Sequence, residues 1–234
     1  MIKFNQDIMN MALNRMPIHE IVVLCSSGVD SIAAAHFYHK KCQPKNSLLS
    51  LLHFNHQLRP QNDLMAESYT RFVEDTSHDI CGYPPINIAD LGRNITDRTE
   101  DGLRKARLKA MEKHYTKTIF VTAHHLDDCV TSYLLNVLRG KEGYLPIPFI
   151  TEIGSNILVH PFLFTEKADF IQYAERNDLM KFVVNDETND EIRGSRRNFI
   201  RKDIVPLLER EKMGLRKIVK KKIEQRLMLD IIKG

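Results

Sequence analysis

The sequence predicts an α/β fold: a parallel sheet with helices on both faces, extended by a short helical C-terminal segment. Three observations predict it. Short apolar runs at residues 21–25, 48–54 and 118–122, the first and third with β-branched members, read as buried strands. Segments with a 3.6-residue apolar period separate them and are long enough to cross back over the sheet, and such βαβ connections are parallel and right-handed in nearly all cases. At 234 residues, with 43% hydrophobic and 27% charged content, the chain suits one α/β domain of ordinary size plus an appendage, which divides it into residues 1–165 and 166–234.

Composition narrows the function. No apolar run approaches the roughly 20 residues needed to span a bilayer. The first 16 residues read as a helix rather than a charged-then-apolar leader, so a cytoplasmic location with no membrane partner is expected. Cys25, Cys42, Cys81 and Cys129 are irregularly spaced without a CxxC pair, which disfavours structural zinc, an iron–sulfur cluster and a disulfide framework and leaves free thiols. Charge is uneven: residues 193–222 hold 12 Lys/Arg against 3 Asp/Glu in a chain of net charge +4. That basic stretch suggests a polyanionic partner, the alternative being a solvated helix surface.

The elements follow in order. Residues 1–16 form a short amphipathic helix, stopped at Pro17, expected to pack on the sheet edge. The first strand runs into Ser26, Ser27, Gly28 and Val29, where small residues turn the chain, and a helix over residues 31–42 opens at Asp30 and Ser31. Backbone N–H groups in such a turn, added to the positive end of the helix dipole, make a concave anion site suited to phosphate. It is not a GxxxxGK[ST] loop, because no Lys follows the glycine; the alternative is an ordinary Asp/Ser-capped helix. The second strand ends in HFNHQLRP. Ligands of open α/β sheets bind at the carboxyl ends of strands, so His53, Asn55, His56 and Arg59 are expected to face the same crevice. Taken alone, His53 and His56 suit either a metal pair or a solvated loop.

Leu64, Met65, Tyr69, Phe72 and Val73 give residues 63–78 the apolar face of a helix covering a sheet. Residues 80–90 hold an extended piece with Ile86 and Ile88. Over residues 99–115, Glu100, Arg104 and Arg107 form one polar stripe of a helix whose other face carries Leu103, Leu108 and Met111. As a surface ladder that stripe is worth only ~0.5 kcal/mol a pair. The strand at 118–122 runs into AHHLDD, repeating the strand-then-polar-helix-start of the first turn. His124, His125, Asp127 and Asp128 could bind a metal, or Asp127 could cap a helix over residues 128–139.

Residues 141–156, rich in Gly, Pro and Ser, show no clear element and are expected to form a flexible substrate loop. A short apolar segment broken by Pro161 precedes a helix at 166–178, residues 183–190 form a loop, and a Pro-containing helix follows at 197–209. Residues 215–233 read as a basic amphipathic helix with Leu215, Ile218, Val219, Ile223, Leu227, Leu229 and Ile232 on or near one face.

SSGVDS at 26–31 is close to the SGGxDS pyrophosphate loop of the PP-loop ATPases. H-x-N-H-x-L-R at 53–59, E-x-x-x-R-x-x-R at 100–107, AHHLDD before LRG, HPFL at 160–163, and Asp186 and Asn189 ahead of Arg197, Asn198 and Arg201 follow in the order of one such family. Over about residues 20–212 the chain resembles the tRNA(Ile)-lysidine synthases. The resemblance implies a Rossmann-like PP-loop fold akin to the adenine nucleotide α-hydrolases. It implies an enzyme using ATP to adenylate O2 of the anticodon-first cytidine of tRNA(Ile) with a CAU anticodon, after which the amine of L-lysine attacks C2 and expels AMP. Ser26, Ser27, Gly28, Val29, Asp30 and Ser31 would then surround pyrophosphate, His53, His56 and His124 the nucleotide, and Asp30 and Asp128 would hold Mg²⁺. Arg104 and Arg107 would meet the adenylated base or RNA phosphate, Glu100 the lysine amine, and Arg197, Arg201 and Lys220, Lys221 and Lys222 the tRNA backbone.

Departures from the pattern are Ser27 for the first loop glycine, Cys129 for Gln, Thr131 for an acidic residue, Leu108 for an aromatic, His160 for Arg and RGKEGYLPIP for a Gly-rich continuation. Longer members continue into C-terminal domains that help hold tRNA, a surface a homodimer could supply here. Two alternatives stand beside this reading: another adenylating PP-loop enzyme such as a tRNA thiolase, which usually needs a Cys pair, and a catalytically weakened tRNA-binding protein.

Overall fold

The computed structural model describes residues 1–15, 20–41, 48–76, 86–91, 97–141, 147–184 and 196–233. Within them β1 (Glu20–Leu24), β2 (Leu48–Asn55), β3 (Ile86–Asp90), β4 (Thr118–Val121), β5 (Ile150–Ile153) and β6 (Asn156–Val159) form one sheet in the order β3-β2-β1-β4-β6-β5. Every neighbouring pair is parallel except β5 with β6. The sheet is therefore mixed, not wholly parallel, and part of the segment expected as a structureless loop is this antiparallel hairpin. Its two-residue turn places Gly154 at φ 57, which glycine adopts without a Cβ penalty. Asn156 anchors it, accepting from the Thr118 N–H at 3.1 Å and donating to the Tyr115 carbonyl at 2.8 Å. Those bonds to distant residues are what turn a polar, Gly-containing stretch into strands.

Nine α-helices accompany the sheet among the described residues: α1 (Gln6–Arg15), α2 (Val29–Lys41), α3 (Pro60–Thr76), α4 (Glu100–His114), α5 (Leu126–Val137), α6 (Lys167–Arg176), α7 (Arg196–Phe199), α8 (Val205–Arg210) and α9 (Leu215–Lys233). Strand residues alternate between two apolar clusters. Ile21, Val23, Leu51, Ile119, Val121, Ile157 and Val159 join the larger one with residues of α1, α2, α3, α5, α6 and α9. Val22, Leu52, Phe120 and Leu158 point the other way, against Leu108 and Met111 of α4 and Tyr115. The larger cluster runs on past residue 165 through Phe170, Ala174, Leu215, Val219 and Ile223. Each fully buried side chain of this size contributes about 1.5–3 kcal/mol.

Several local expectations shift. α1 lies over β6 and against α9 rather than on the outermost strand, burying Ile8, Met9 and Ala12. Leu64 of α3 is half exposed, and Ala66 and Ser68 take its place in the buried face with Tyr69, Phe72 and Val73. In α9 the buried stripe is Leu215, Val219, Ile223 and Leu227, while Ile218, Leu229 and Ile232 are exposed. A four-residue spacing selects one narrow seam against α5, and the wider apolar set does not fit it.

The helix expected over 197–209 is divided by a π turn, Ile200–Ile204, in which the Val205 N–H bonds to the Ile200 carbonyl five residues back. Pro206 explains the widening: it has no N–H, and its ring would clash with the carbonyl four residues before it.

Candidate active site

The strand order reverses between β1 and β4, since β2 and β3 extend to one side and β6 and β5 to the other. At such a switch point the connections leaving the carboxyl ends of adjacent strands diverge and open a crevice. A cleft of about 440 Å³ lies there. Ser26, Gly28, Val29, Asp30 and Ser31 line it from the first turn, His53 and His56 from the end of β2, Arg107 from α4, and His124 and Asp128 from the end of β4. Four segments far apart in sequence thus meet as expected.

The turn after β1 is held internally. Ser31 Oγ accepts from the Ser26 N–H at 3.0 Å and donates to the Gly28 carbonyl at 2.9 Å. Ser27 sits at φ 60, a left-handed conformation that costs a residue with a Cβ about 1–2 kcal/mol. Its buried hydroxyl donates to the Met65 carbonyl at 2.7 Å, and its own carbonyl accepts from the Val184 N–H at 2.9 Å. Ser27 is therefore outside the cleft lining, and its hydroxyl, expected to cradle phosphate, instead ties the turn to α3. Gly28 stays bare toward the cleft; a Cβ there would meet only the Ser26 hydroxyl, at 3.6 Å.

At the end of β2, His53 donates from Nδ1 to the Cys25 carbonyl at 2.9 Å and stacks on Tyr69. Asn55 and Arg59 are not part of the lining. Asn55 instead accepts from the Gln57 N–H and donates to Asp63, shaping the loop from within, while Arg59 is exposed and Asn62 lines the cleft in its stead. In α4, Thr99 caps the helix by accepting from the Gly102 N–H at 3.2 Å. Arg107 reaches the cleft. Arg104 is exposed outside the lining, and Glu100 is placed at the start of α4 with its side chain outside the described residues, as are Asp186 and Asn189.

The start of α5 concentrates charge around one buried imidazole. His125, not Asp127, is the N-cap, with Asp128 accepting from the His125 N–H at 3.2 Å. His125 Nε2 stands 3.4 Å from Asp30 Oδ2 and 3.5 Å from Asp128 Oδ2, and its Nδ1 stands 3.5 Å from Asp127 Oδ2. Burial alone would lower its pKa, but Asp128, Asp127 and Asp30 together push it up to about 9. Burial also opposes ionisation of Asp128, yet His125, His124, Arg197 and Arg201 hold its carboxyl below the usual range. Arg197 lies 3.5 Å from Asp128, Arg201 lines the cleft, and Lys167 Nζ is 3.9 Å from Asp30. Arg197 and Arg201, expected on an RNA-facing surface, are directed into the site.

Beside it, Thr122 Oγ1 is 3.0 Å from His124 Nδ1 and 2.6 Å from Nδ1 of the buried His160. His160, at the position expected to hold Arg, packs edge-on to His124 at 4.9 Å. Among the described residues no three His, Cys, Asp or Glu side chains gather as a metal centre, so the His124–His125–Asp127–Asp128 ligand set does not form. Asp30 and Asp128 do suit a hard cation. They sit in the first turns of α2 and α5, the helices that follow neighbouring strands, Asp30 Oδ1 is buried and accepts no hydrogen bond from the described residues, and Mg²⁺ typically takes one or two carboxylates with phosphate oxygens and water.

Sequence reasoning did not single out His125 as the hub, nor Lys167 or Arg216 as neighbours of the carboxylates. Lys167 had one faint signal, a cation in the first turn of a helix, where the dipole disfavours it. Cys129 and Thr131 are buried in α5 and turned away from the cleft. Cys25 and Cys129 are free buried thiols, with burial raising the Cys25 pKa to about 11 and that of Cys129 further; Cys42 and Cys81 lie outside the described residues. No helix among the described residues is long and apolar enough to cross a membrane.

A family model described as a PP-loop domain matches residues 2–208. The tRNA(Ile)-lysidine synthase of Coxiella burnetii is 32% identical over 193 residues, 79% of this chain and 40% of that protein. That of Haemophilus influenzae is 29% identical over 203 residues, 84% of this chain and 45% of its own length. This chain thus spans less than half of these relatives. In fold it is similar to the U34-tRNA thiolase NcsA from Methanococcus maripaludis, with a TM-score of 0.66 at 15% identity, covering 95% of this chain and 77% of that one.

Proposed function

We propose that this chain, which belongs to the PP-loop domain family, is a tRNA(Ile)-lysidine synthase acting in the cytoplasm. In the first step O2 of the anticodon-first cytidine attacks the α-phosphorus of ATP and pyrophosphate leaves. In the second the amine of L-lysine attacks C2, the C2–O2 bond to AMP breaks, and the amine gives up a proton. The observation that carries the reading is the convergence of Asp30 and Asp128, two carboxylates of the cleft lining from separate motifs, on one buried imidazole beside it.

Roles follow from position. The backbone of Ser26, Gly28 and Val29 lies bare to the phosphates, with Lys167, Arg107 and Arg201 supplying positive charge around them. Asp30 and Asp128 would hold Mg²⁺, which supplies charge neutralisation on the leaving pyrophosphate. His53, His56 and His124 bound the nucleotide. From the family resemblance rather than from position, Glu100 orients the lysine amine or takes its proton, and the exposed Arg104 meets the adenylated base or RNA phosphate. Residues 1–165 supply the phosphate turn and both carboxylates, Lys167 and Arg201 add charge from the C-terminal segment, and the outward basic surface of residues 166–234 meets the RNA backbone, with a second copy of the chain extending it. The departures Cys129 and Thr131 face the core, and Ser27 keeps the turn in place, so none of them removes a group from the cleft. Cys25 and Cys129, buried and held as thiols, do not favour thiolation.

The test is pyrophosphate release from ATP and Mg²⁺ with tRNA bearing the CAU anticodon, with and without lysine, followed by mass spectrometry of the anticodon nucleoside. A lysine-sized gain on that cytidine is expected. AMP formation without the adduct points to another nucleophile or RNA, and no ATP consumption points to a binding protein.

A further inference from the structure

α9 starts at residue 215, beyond the stretch that the family model covers, and its basic residues read from sequence as an outward, RNA-facing surface. Arg216, in its first turn, does not share that orientation. Its Nη2 is 2.6 Å from Asp127 Oδ1 and its Nε 3.5 Å from Glu209 Oε2, so one guanidinium joins α9 to both α5 and α8. The other oxygen of Asp127 accepts from the backbone N–H of Lys167 at 2.8 Å and lies 3.5 Å from His125 Nδ1. Asp127 is thus gripped from two sides, by the first amide of α6 and by α9. It stands outside the cleft lining, so its contact with the site runs through His125, whose opposite nitrogen faces Asp30 and Asp128.

We propose that Arg216 is a positioning residue: by fixing Asp127 it fixes the His125 imidazole, and through that ring the spacing of Asp30 and Asp128 toward a divalent cation. The inference rests on the assignment of those two carboxylates to the cation. A buried imidazole between three carboxylates can turn toward any of them, and its orientation is set by the acceptor that is itself immobile. Asp127 has that property toward Nδ1 because both its oxygens are engaged, as Asp128 has it toward Nε2 through Arg197 and the His125 N–H. Without Arg216 one oxygen of Asp127 loses its partner, the carboxylate can rotate, and His125 loses its reference at Nδ1. The planar fork matters as well as the charge, because it spans Asp127 and Glu209 at once, which a lysine ammonium on a flexible stem does not reproduce. The docking of α9 does not depend on this contact. Val219 and Ile223, both fully buried, seat the helix in the main core, so substitutions at 216 leave the fold in place.

The test is a Mn²⁺ titration in the presence of ATP, with free Mn²⁺ read by electron paramagnetic resonance, on the wild-type chain and on Arg216→Ala, Arg216→Lys, Asp127→Asn and the Arg216→Ala/Asp127→Asn pair, alongside steady-state pyrophosphate release. Arg216→Ala is expected to weaken ATP-dependent Mn²⁺ binding by about 10-fold, the lower end of the range for loss of a residue that touches a metal ligand directly, because Arg216 acts through Asp127 and His125. It should lower kcat while KM for ATP changes by less than about threefold, since the phosphate contacts are intact. Arg216→Lys should recover part of the loss, and the double variant should be no weaker than Asp127→Asn alone. Unchanged Mn²⁺ affinity in Arg216→Ala, losses that simply add in the double variant, or a wild-type chain that binds no Mn²⁺ with ATP would each overturn the inference. Intact wild-type Mn²⁺ binding lost in Arg216→Ala, in a chain that makes no lysine adduct, would support it while refuting the lysidine reaction.

Discussion

Ser27 shows how one residue can be a departure in sequence and a fixture in structure. Its left-handed backbone costs about 1–2 kcal/mol for any side chain with a Cβ, and its hydroxyl bond to the Met65 carbonyl returns about 0.5–1.5 kcal/mol. Ser27→Gly should therefore stay within about 1 kcal/mol of the native chain, whereas Ser27→Ala keeps the strain, loses the bond, and should be less stable than the glycine variant by about 1 kcal/mol. Urea unfolding of the two variants checks the order, and its reversal would mean that the turn does not hold this conformation. Asp30 lines the cleft at the position the sequence reading gives it. Asp30→Ala should lower pyrophosphate release by about 10²–10³-fold, the loss typical of removing one preorganised electrostatic group from a reaction centre. Its far-UV circular dichroism should be unchanged, because Asp30 lies at a helix start and outside the apolar core. Retained turnover would refute the assignment of the turn.

At the scale of elements, the first turn of α4 decides where Arg107 points. Gly102 is buried there, and a Cβ would fall 2.3 Å from the Asp97 carbonyl oxygen and 2.4 Å from Asp97 Cγ, so the segment must move to accept any side chain. Gly102→Ala should cost about 1–3 kcal/mol, lowering Tm by roughly 2–4 °C for each kcal/mol in a chain of this size. It should also raise KM for ATP by displacing Arg107 from the cleft, and a variant with native Tm and native KM would contradict the tight approach. The β5–β6 hairpin makes the complementary point about legibility. Residues 150–159 carry one local signal, Gly154 and Ser155 as a two-residue hairpin turn between two four-residue runs, which the Gly, Pro and Ser content of the surrounding segment obscures. They become strands because Asn156 bonds to Thr118 and Tyr115, some forty residues away in sequence.

For the whole molecule, the charge pattern divides by direction rather than by position in the chain. Arg197 and Arg201 turn inward to Asp128 and the cleft, while Lys217, Lys221 and Lys222 are exposed on α9. Only the second group can release counterions from a long polyanion. RNA binding should weaken linearly in log–log form as salt rises, and replacing those three lysines with Gln should reduce the slope by about two to three, near 0.7–0.9 for each phosphate no longer neutralised. Fluorescence anisotropy with labelled tRNA across a salt series measures it, and an unchanged slope would remove α9 from the RNA surface. Arg197→Gln should leave the slope unchanged and lower turnover instead.

The sequence by itself determined the α/β class, the bounds of most helices and the four segments whose residues meet in the cleft. It did so because period-2 and period-3.6 apolar patterns and small-residue turns are local, and because the carboxyl ends of neighbouring parallel strands meet at one edge of the sheet whatever the side chains are. Only the tertiary structure decided which members of each motif face the ligand. It turned Ser27 to α3, Asn55 into its own loop and Arg197 toward Asp128, and it set His125 among Asp30, Asp127 and Asp128. Those choices depend on which distant partner completes a buried hydrogen bond or neutralises a buried charge, and no periodicity along the chain records that.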